Sequence, residues 1–346
     1  MEITTIGIDL AKQVFQLHGV DAHGKTVLRK RLTRSALGPF MANLPPCRVR
    51  VEACAGAHYW SRQWRAFGHD VRLMSPHFVK PYVKSQKNDS NDAEAICEAV
   101  SRPTMRFVHP KTIGQQDLQA LHRIRQRRIH NRTALINQIR GLLMEYGITL
   151  PAQAAQVRRR VPGLLDDATQ DLTSLGRELL EDLYRELVAL DEHLLEVEGR
   201  IKRIFAATEV CGRLAQVEGV GPLIATAMIA AVGDPHAFKN GRQLAAWLGL
   251  VPRQRSSGGK HVLLGITKRG DRYLRALLIH GARAVVVRAT AKTDTRSCWI
   301  AGLQQRRGTN RASVAVANKN VRILWALMTT QAPYRQIGRA SCKERV

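Results

Sequence analysis

Two carboxylates three residues apart open a helix-like run in Lys87-Asn88-Asp89-Ser90-Asn91-Asp92-Ala93-Glu94, and at that spacing Asp89 and Asp92 share one helical face. Such a pair suits a hard divalent cation, because Mg²⁺ takes oxygen ligands from a few carboxylates and keeps positions for water and substrate phosphate. Two further acids close short β-branched runs: Asp9 ends Thr4-Thr5-Ile6-Gly7-Ile8-Asp9, and Glu52 ends Arg48-Val49-Arg50-Val51-Glu52. Two strand ends and a helix mouth would make a metal cup from Asp9, Glu52, Asp89 and Asp92. The plainer account of Asp89 and Asp92 is helix capping, where acids favour the positive end of the dipole. Scarcity weighs against it. Up to Arg102 the acids are Glu2, Asp9, Asp21, Glu52, Asp70, Asp89, Asp92, Glu94 and Glu98, in a chain whose net charge is +26.

A second group with chemistry in it is Arg253-Gln254-Arg255-Ser256-Ser257-Gly258-Gly259-Lys260, followed by Lys268, Arg269 and Arg272. Two hydroxyls here sit in a glycine-rich, cationic loop that can wrap a phosphate. A serine becomes a competent nucleophile only where a base, a metal or a dense positive field stabilises its alkoxide. The only base in or beside the loop is His261, so a cation held by the acids would have to polarise the phosphate instead. Without that chemistry the loop is a phosphate-gripping surface.

The elements that must position these groups follow from periodicity. Runs at 4–9, 14–20 and 26–32 read as a three-stranded antiparallel meander, the last two separated by the turn-forming Asp21-Ala22-His23-Gly24. A helix over 35–44 is closed by Pro45-Pro46, and the strand ending at Glu52, a helix over 59–67 and a strand over 70–74 follow. This alternation predicts a mixed sheet with helices on its faces, with the ends of the first and fourth strands side by side. Asp9 and Glu52 become neighbours in that arrangement.

Beyond it, 115–146 reads as a long basic helix, with Arg125, Arg128 and Arg132 among its candidates for phosphate contact. After expected breaks at Pro151 and Pro162-Gly163, Leu183, Leu187, Leu190, Leu194, Val197, Ile201 and Ile204 recur in steps of four and three, a coiled-coil seam. The seam serves either a dimerisation arm or a hairpin packed on itself. Residues 214–232 have the form of a helix-hairpin-helix around Gly219-Val220-Gly221, whose glycines can let backbone N–H groups approach phosphate; such glycines also close ordinary helix pairs. Helices are expected over 242–250, 271–290 and 312–329, and an irregular or hairpin segment over 251–265. The organisation is thus 1–108, 113–206, 210–330 and a patternless tail, 331–346.

Composition bounds the function. The 346 residues carry 54 Lys plus Arg against 28 Asp plus Glu, a field that calls for a polyanionic partner, nucleic acid first. No run approaches the roughly 20 apolar residues of a spanning helix, and no signal peptide is evident. The six cysteines show neither zinc-ligand spacing nor a disulfide pattern, as suits a reducing cytoplasm.

Four blocks in order then carry a resemblance: Gly7-Ile8-Asp9-Leu10-Ala11-Lys12 with Phe15 and His18-Gly19; Glu52-Ala53-Cys54 with His58 and Trp60; Lys87 to Ala93; and Gly249-Leu250-Val251-Pro252-Arg253-Gln254 running into Ser256-Ser257-Gly258-Gly259-Lys260. Together they resemble the DEDD transposases of the IS110 insertion-sequence family, over nearly the whole chain up to about residue 330. The resemblance implies an α/β N-terminal domain of RuvC-like, RNase H-type fold, in which Asp9, Glu52, Asp89 and Asp92 bind Mg²⁺ or Mn²⁺. It further implies a long helical coiled-coil stalk and a mainly α C-terminal transposase domain whose serine attacks DNA. That nucleophile falls on Ser257, with Ser256 adjacent. Also implied are donor and target DNA, a noncoding bridge RNA that guides recombination, a homo-oligomer (dimer or tetramer), and a bacterial, cytoplasmic, nucleoid-associated location. The expected nucleic-acid contacts are Arg125, Arg128, Arg132, Gly219, Gly221, Arg253, Arg255, Lys260, Lys268 and Arg269. The competing readings are a RuvC-like junction nuclease that uses metal and water without a serine, and a packaging protein without catalysis.

Overall fold

The structure, a computed structural model, describes residues 2–83, 89–100, 102, 105–332 and 334, and of residues 89 and 90 the backbone only. Two compact units divide the chain, Met1–Ile113 and Gly114–Val346, so the helical region expected at 113–206 and the C-terminal region expected at 210–330 share one unit.

The first unit is a six-stranded mixed sheet. Its strands are β1 (Thr5–Leu10), β2 (Val14–Val20), β3 (Thr26–Thr33), β4 (Arg48–Glu52), β5 (Asp70–Met74) and β6 (Phe107–Val108), in spatial order β3-β2-β1-β4-β5-β6. β1, β2 and β3 form the expected antiparallel meander, while β1, β4 and β5 run parallel. Around the sheet lie α1 (Arg34–Ala42), α2 (Ala57–Ala66), the single turn α3 (Pro76–Val79) and α4 (Asp89–Ala99). Alternation drives the fold: Ile6, Ile8, Val49, Val51, Val71 and Leu73 are fully buried, packed in one core with Trp64 and Leu37. Each such side chain stabilises the fold by roughly 1.5–3 kcal/mol. β6 is a two-residue pairing too short to show in a pattern.

The second unit begins with α5 (Ile113–Glu145), α6 (Ala154–Asp166) and α7 (Ser174–Ala207). Leu187 of the seam is buried with Leu135, Ile136, Ile139 and Leu143 of α5 and Val157 and Val161 of α6, so there the seam is satisfied within one chain. The break expected at Pro162-Gly163 is not there, for α6 runs through Pro162. A proline at that point leaves the Arg158 carbonyl without its helical donor, and the hydroxyl of Tyr184 donates to that oxygen at 3.2 Å instead.

The remaining helices are α8 (Glu209–Ala215), α9 (Pro222–Val232), α10 (Gly241–Trp247), α11 (Arg272–Ala289) and α12 (Thr295–Thr330), with the hairpin β7 (Pro252–Ser257) and β8 (Lys260–Ile266) between α10 and α11. Asp271 and Asp294 cap α11 and α12, accepting from Leu274 N and Ser297 N at 3.0 Å each, contacts worth about 1 kcal/mol apiece. The expected helix over 312–329 is only the second part of α12. A first part starts at Thr295, and Gly308, at φ 77 and ψ 161, separates the two. Among the described residues no helix is long and apolar enough to cross a membrane.

Candidate active site

Parallel register from Thr5↔Arg48 to Ile8↔Val51 brings Asp9 and Glu52 to the same level of adjacent strands, roughly 4.8 Å apart at the backbone. Both are half-buried. Their proximity shows in Cys54, whose thiol is pushed up to about 11 by burial and further by the charges of Glu52 and Asp9. Gly7 lies two residues before Asp9 and so on the same face. A Cβ at Gly7 would collide with the carbonyl oxygen of Ala93 and stand 3.0 Å from the Cys97 amide nitrogen. The glycine therefore lets the backbone of α4 lie directly on β1. Asp89, Asp92, Ala93, Ile96 and Cys97 fall on one stripe of that helix, with Ile96 and Cys97 buried against the sheet. Asp92 is half-buried at the edge of this contact, and the Asp89 side chain lies outside the described residues.

Beneath the same face Arg50, only 4% exposed, donates to the Asp70 carboxylate at 2.9 Å. Partial burial would raise Asp70, but the hydrogen bond and charge of Arg50 outweigh it and hold the carboxyl below its ordinary value. Arg50 thus puts a buried cation in β4 two residues before Glu52, directed at the start of β5. The donor set suits a hard divalent ion, being carboxylate oxygen from two strand ends and one helix. Among the described side chains no three ligating groups are gathered as a finished cage.

The serine segment is a hairpin with both strands exposed along nearly all their length. Gly258 and Gly259, with φ of 55° and 77°, form the two-residue turn, the left-handed pair that matches strand twist. Ser257 stands opposite Lys260, and Arg255 opposite Val262, so Ser257 shares a face with Arg255 and Lys260. Ser256 is on the other face, opposite His261, and accepts from Gln254 Nε2 at 2.8 Å. At its base the hairpin is clamped. Cβ atoms at Gly249 or Gly270 would collide with the backbone of Arg269 or Trp247, and Lys268 takes a left-handed φ of 56°. The buried Arg275 donates to Leu248 O at 3.0 Å and Arg269 O at 2.5 Å, tying the two ends together. Periodicity gave Arg275 no role, although it lies between Leu274 and Leu278 on the buried stripe of α11.

Several expected nucleic-acid contacts sit elsewhere. Arg125 is 12% exposed in an ion pair with Glu198 at 2.6 Å, Arg128 donates to His193 O at 2.7 Å, and Arg132 pairs with Asp191 at 3.1 Å. These three hold α5 on α7, because their positions lie beside the helical seam; Arg123 and Arg127 are the exposed arginines nearby. Gly219 also turns inward, where a Cβ would stand 2.7 Å from Gly281 O of α11, so close helix packing accounts for it. Around Gly221, the N-cap of α9, space is open. Arg253, Arg255, Lys260, Lys268 and Arg269 are exposed on or beside the hairpin. Sequence reasoning also missed a buried triad: His122 Nδ1 is 3.0 Å from Tyr273 Oη and its Nε2 3.0 Å from Thr226 Oγ1. Burial, then the charge of Arg125, lowers this histidine to about 4.

Comparison with known proteins matches residues 6–148 to a transposase family model of the DEDD, IS110 type, and residues 211–297 to the model described as transposase IS116/IS110/IS902 family. A probable family 20 transposase of Pseudomonas aeruginosa is 50% identical over 97% of this chain and 99% of its own. The transposase for insertion sequence element IS1111A of Coxiella burnetii is 49% identical over 96% of this chain and 92% of its own. That for IS1328 of Yersinia enterocolitica is 42% identical over 94% and 97%.

Proposed function

The chain belongs to the IS116/IS110/IS902 family of transposases, and on that premise we propose that it exchanges DNA strands through Ser257, with Asp9, Glu52, Asp89 and Asp92 as its divalent-cation site. It is a DNA transposase of an insertion sequence, so its substrate is DNA, and the family's four-acid type suggests use of a divalent metal. Mg²⁺ or Mn²⁺ bound there would supply positive charge to a phosphate oxygen.

The observation that carries the choice of serine is the hairpin register: Ser257 shares its face with Arg255 and Lys260, whereas Ser256 is hydrogen-bonded to Gln254. Two cations beside one hydroxyl favour charge building on an attacked phosphate. Ser257 Oγ bonds to phosphorus as a strand's P–O ester bond breaks, and the serine proton ends on the departing DNA hydroxyl. Ester bonds are conserved in number, so a DNA hydroxyl can reverse the step. Water attack would leave no such bond to rejoin. Guidance by a bridge RNA belongs to the same proposal, supported by the net charge of +26, and so does assembly as a dimer or tetramer. A specific observation keeps a second nucleophile in view, since Ser256 faces His261, a base.

The test is denaturing-gel trapping of a protein–DNA adduct on donor and target DNA with guide RNA. Ser257→Ala should abolish the adduct and lower exchange by at least about 10⁴-fold, the scale of removing a nucleophile. An adduct lost in Ser256→Ala but kept in Ser257→Ala moves the nucleophile by one residue. Efficient exchange in the double alanine variant removes serine chemistry and leaves hydrolysis at the acids.

A further inference from the structure

A cavity of about 690 Å³ opens in the C-terminal unit, between α10, α12, Ala332 and Tyr334. That volume is in the range of small-ligand sites. We infer that it receives one unstacked nucleotide of a nucleic-acid strand, the phosphate held by Arg242, Lys319 and Arg322 and the base laid against Ile323 and Trp325. The inference rests on the nucleic-acid substrate argued above and gives that substrate a second, separate seat.

Two sets of residues divide the cavity. On α12, Lys319, Arg322, Ile323, Ala326, Leu327 and Thr330 recur at helical spacing, so one face presents cations at its start and apolar groups after them. Trp325 is fixed by its Nε1 donating to Pro235 O at 3.0 Å, and Tyr334 by its hydroxyl accepting from Arg296 at 3.0 Å. Aromatic surface held still in this way is what a base stacks on.

The charge is one-sided. Arg242, Arg296, Lys319 and Arg322 line the cavity, and no described lining residue is acidic. Arg296 is braced by Asn320 at 2.7 Å, with Glu218 4.0 Å away, and so serves as wall. Lys319, Arg322 and Arg242 are exposed toward solvent, with Lys319 Nζ poised 4.3 Å from the centre of the Trp299 ring. Burial lowers Lys319 most, and the charges of Arg296 and Arg322, crowded near it, lower it further. An anion relieves that crowding. A bare phosphate would leave the apolar wall unused, while a base alone would leave the cations unused. A nucleotide uses both.

The probe is a single strand of about eight nucleotides, made as DNA and as RNA, with one abasic position walked along it. Binding is read by fluorescence anisotropy on full-length Ser257→Ala protein, so no strand chemistry intervenes. At one position the abasic change should weaken wild-type-cavity binding roughly tenfold. In protein that also carries Ala326→Phe, which fills the cavity without changing charge, that penalty should vanish. The strand type with the larger penalty identifies the source as DNA or RNA. Equal affinity for intact and abasic strands in both series overturns the inference. Should Ala326→Phe fail to fold, strands bearing 5-iodouracil are photocrosslinked to the Ser257→Ala protein. A crosslink in the tryptic peptide 323–335 supports the seat, and crosslinks confined elsewhere overturn it. A failed adduct assay beside a positive abasic penalty rejects serine catalysis while keeping this cavity, and the converse result does the reverse.

Discussion

The acids and the serine are mounted in opposite ways. Asp9, next to last in β1, and Glu52, last in β4, follow the fully buried Ile8 and Val51, and the helix bearing Asp92 lies on β1 with no room for a side chain at Gly7. Ser257 is at the tip of a two-stranded ribbon exposed on both faces and fastened only at its base. An isolated ribbon of this kind is marginal in water. Carboxylates that gather a cation repel one another and need a stiff frame, whereas a nucleophile that must reach a phosphate on a bulky duplex needs projection and freedom. The difference teaches that the two halves of the proposed chemistry should fail differently when disturbed.

The largest effect is expected at the stiff half. Gly7→Val keeps every acid but forces α4 off β1, an overpacking of about 1–3 kcal/mol or more. Melting with Mg²⁺ or Mn²⁺ against chelator should show a cation-dependent rise in wild type that is lost in Gly7→Val, as in Asp92→Ala. A rise of wild-type size in either variant would break the site as drawn.

Acid should undermine the packing of α5 against α9 and α11 through His122. Its folded value of about 4 lies below the ordinary 6.5, so the unfolded chain takes up the extra proton and stability increases with pH between the two. The contribution is whole above about pH 6.5 and disappears as pH falls toward 4, on the order of 3 kcal/mol. His122→Gln should flatten that part of the curve in denaturant unfolding. His58 in the sheet unit, also held at about 4 by burial and then Lys111, leaves the remaining acid sensitivity in place. An unchanged curve in His122→Gln would deny the triad this role.

Arg275→Met tests the clamp. Losing its donors leaves Leu248 O and Arg269 O unpaired, about 1–3 kcal/mol. A loosened ribbon should slow exchange roughly 10–100-fold while the cation-dependent melting shift stays intact. If both readouts fall together, the halves are not mounted independently.

The smallest effect is on salt dependence. Arg127→Glu should reduce the slope of log K against log salt by roughly 0.9 for each phosphate that is no longer neutralised. Arg125→Ala should instead lower the melting temperature and leave the slope alone, and binding assays at several salt concentrations separate the two.

Much of this was legible in the residues. Alternating β-branched runs gave the meander and the level of Asp9 with Glu52, and an acid-bearing run gave α4 beginning at Asp89. Gly258-Gly259 allowed a hairpin. What was hidden is what depends on a second element. Helical period says that Arg125 and Arg132 leave the apolar stripe but not that Glu198 and Asp191 wait on α7. Gly219 reads as a phosphate glycine until Gly281 is seen against it. Pro162 reads as a break because the hydroxyl that compensates for it comes from Tyr184, 22 residues on. No periodicity tells where side chains from separate elements converge, which is why the acids could be named without their geometry.

Gly308 carries a consequence of length. Arg296 and Asn320 are 24 residues apart in the chain, so in a straight helix they would stand ~36 Å from each other. They are hydrogen-bonded at 2.7 Å. One residue with φ 77 and ψ 161, a conformation essentially reserved for glycine, turns what would be a rod into a folded-back pair. The cavity wall at Arg296 therefore exists because a single position lacks a side chain.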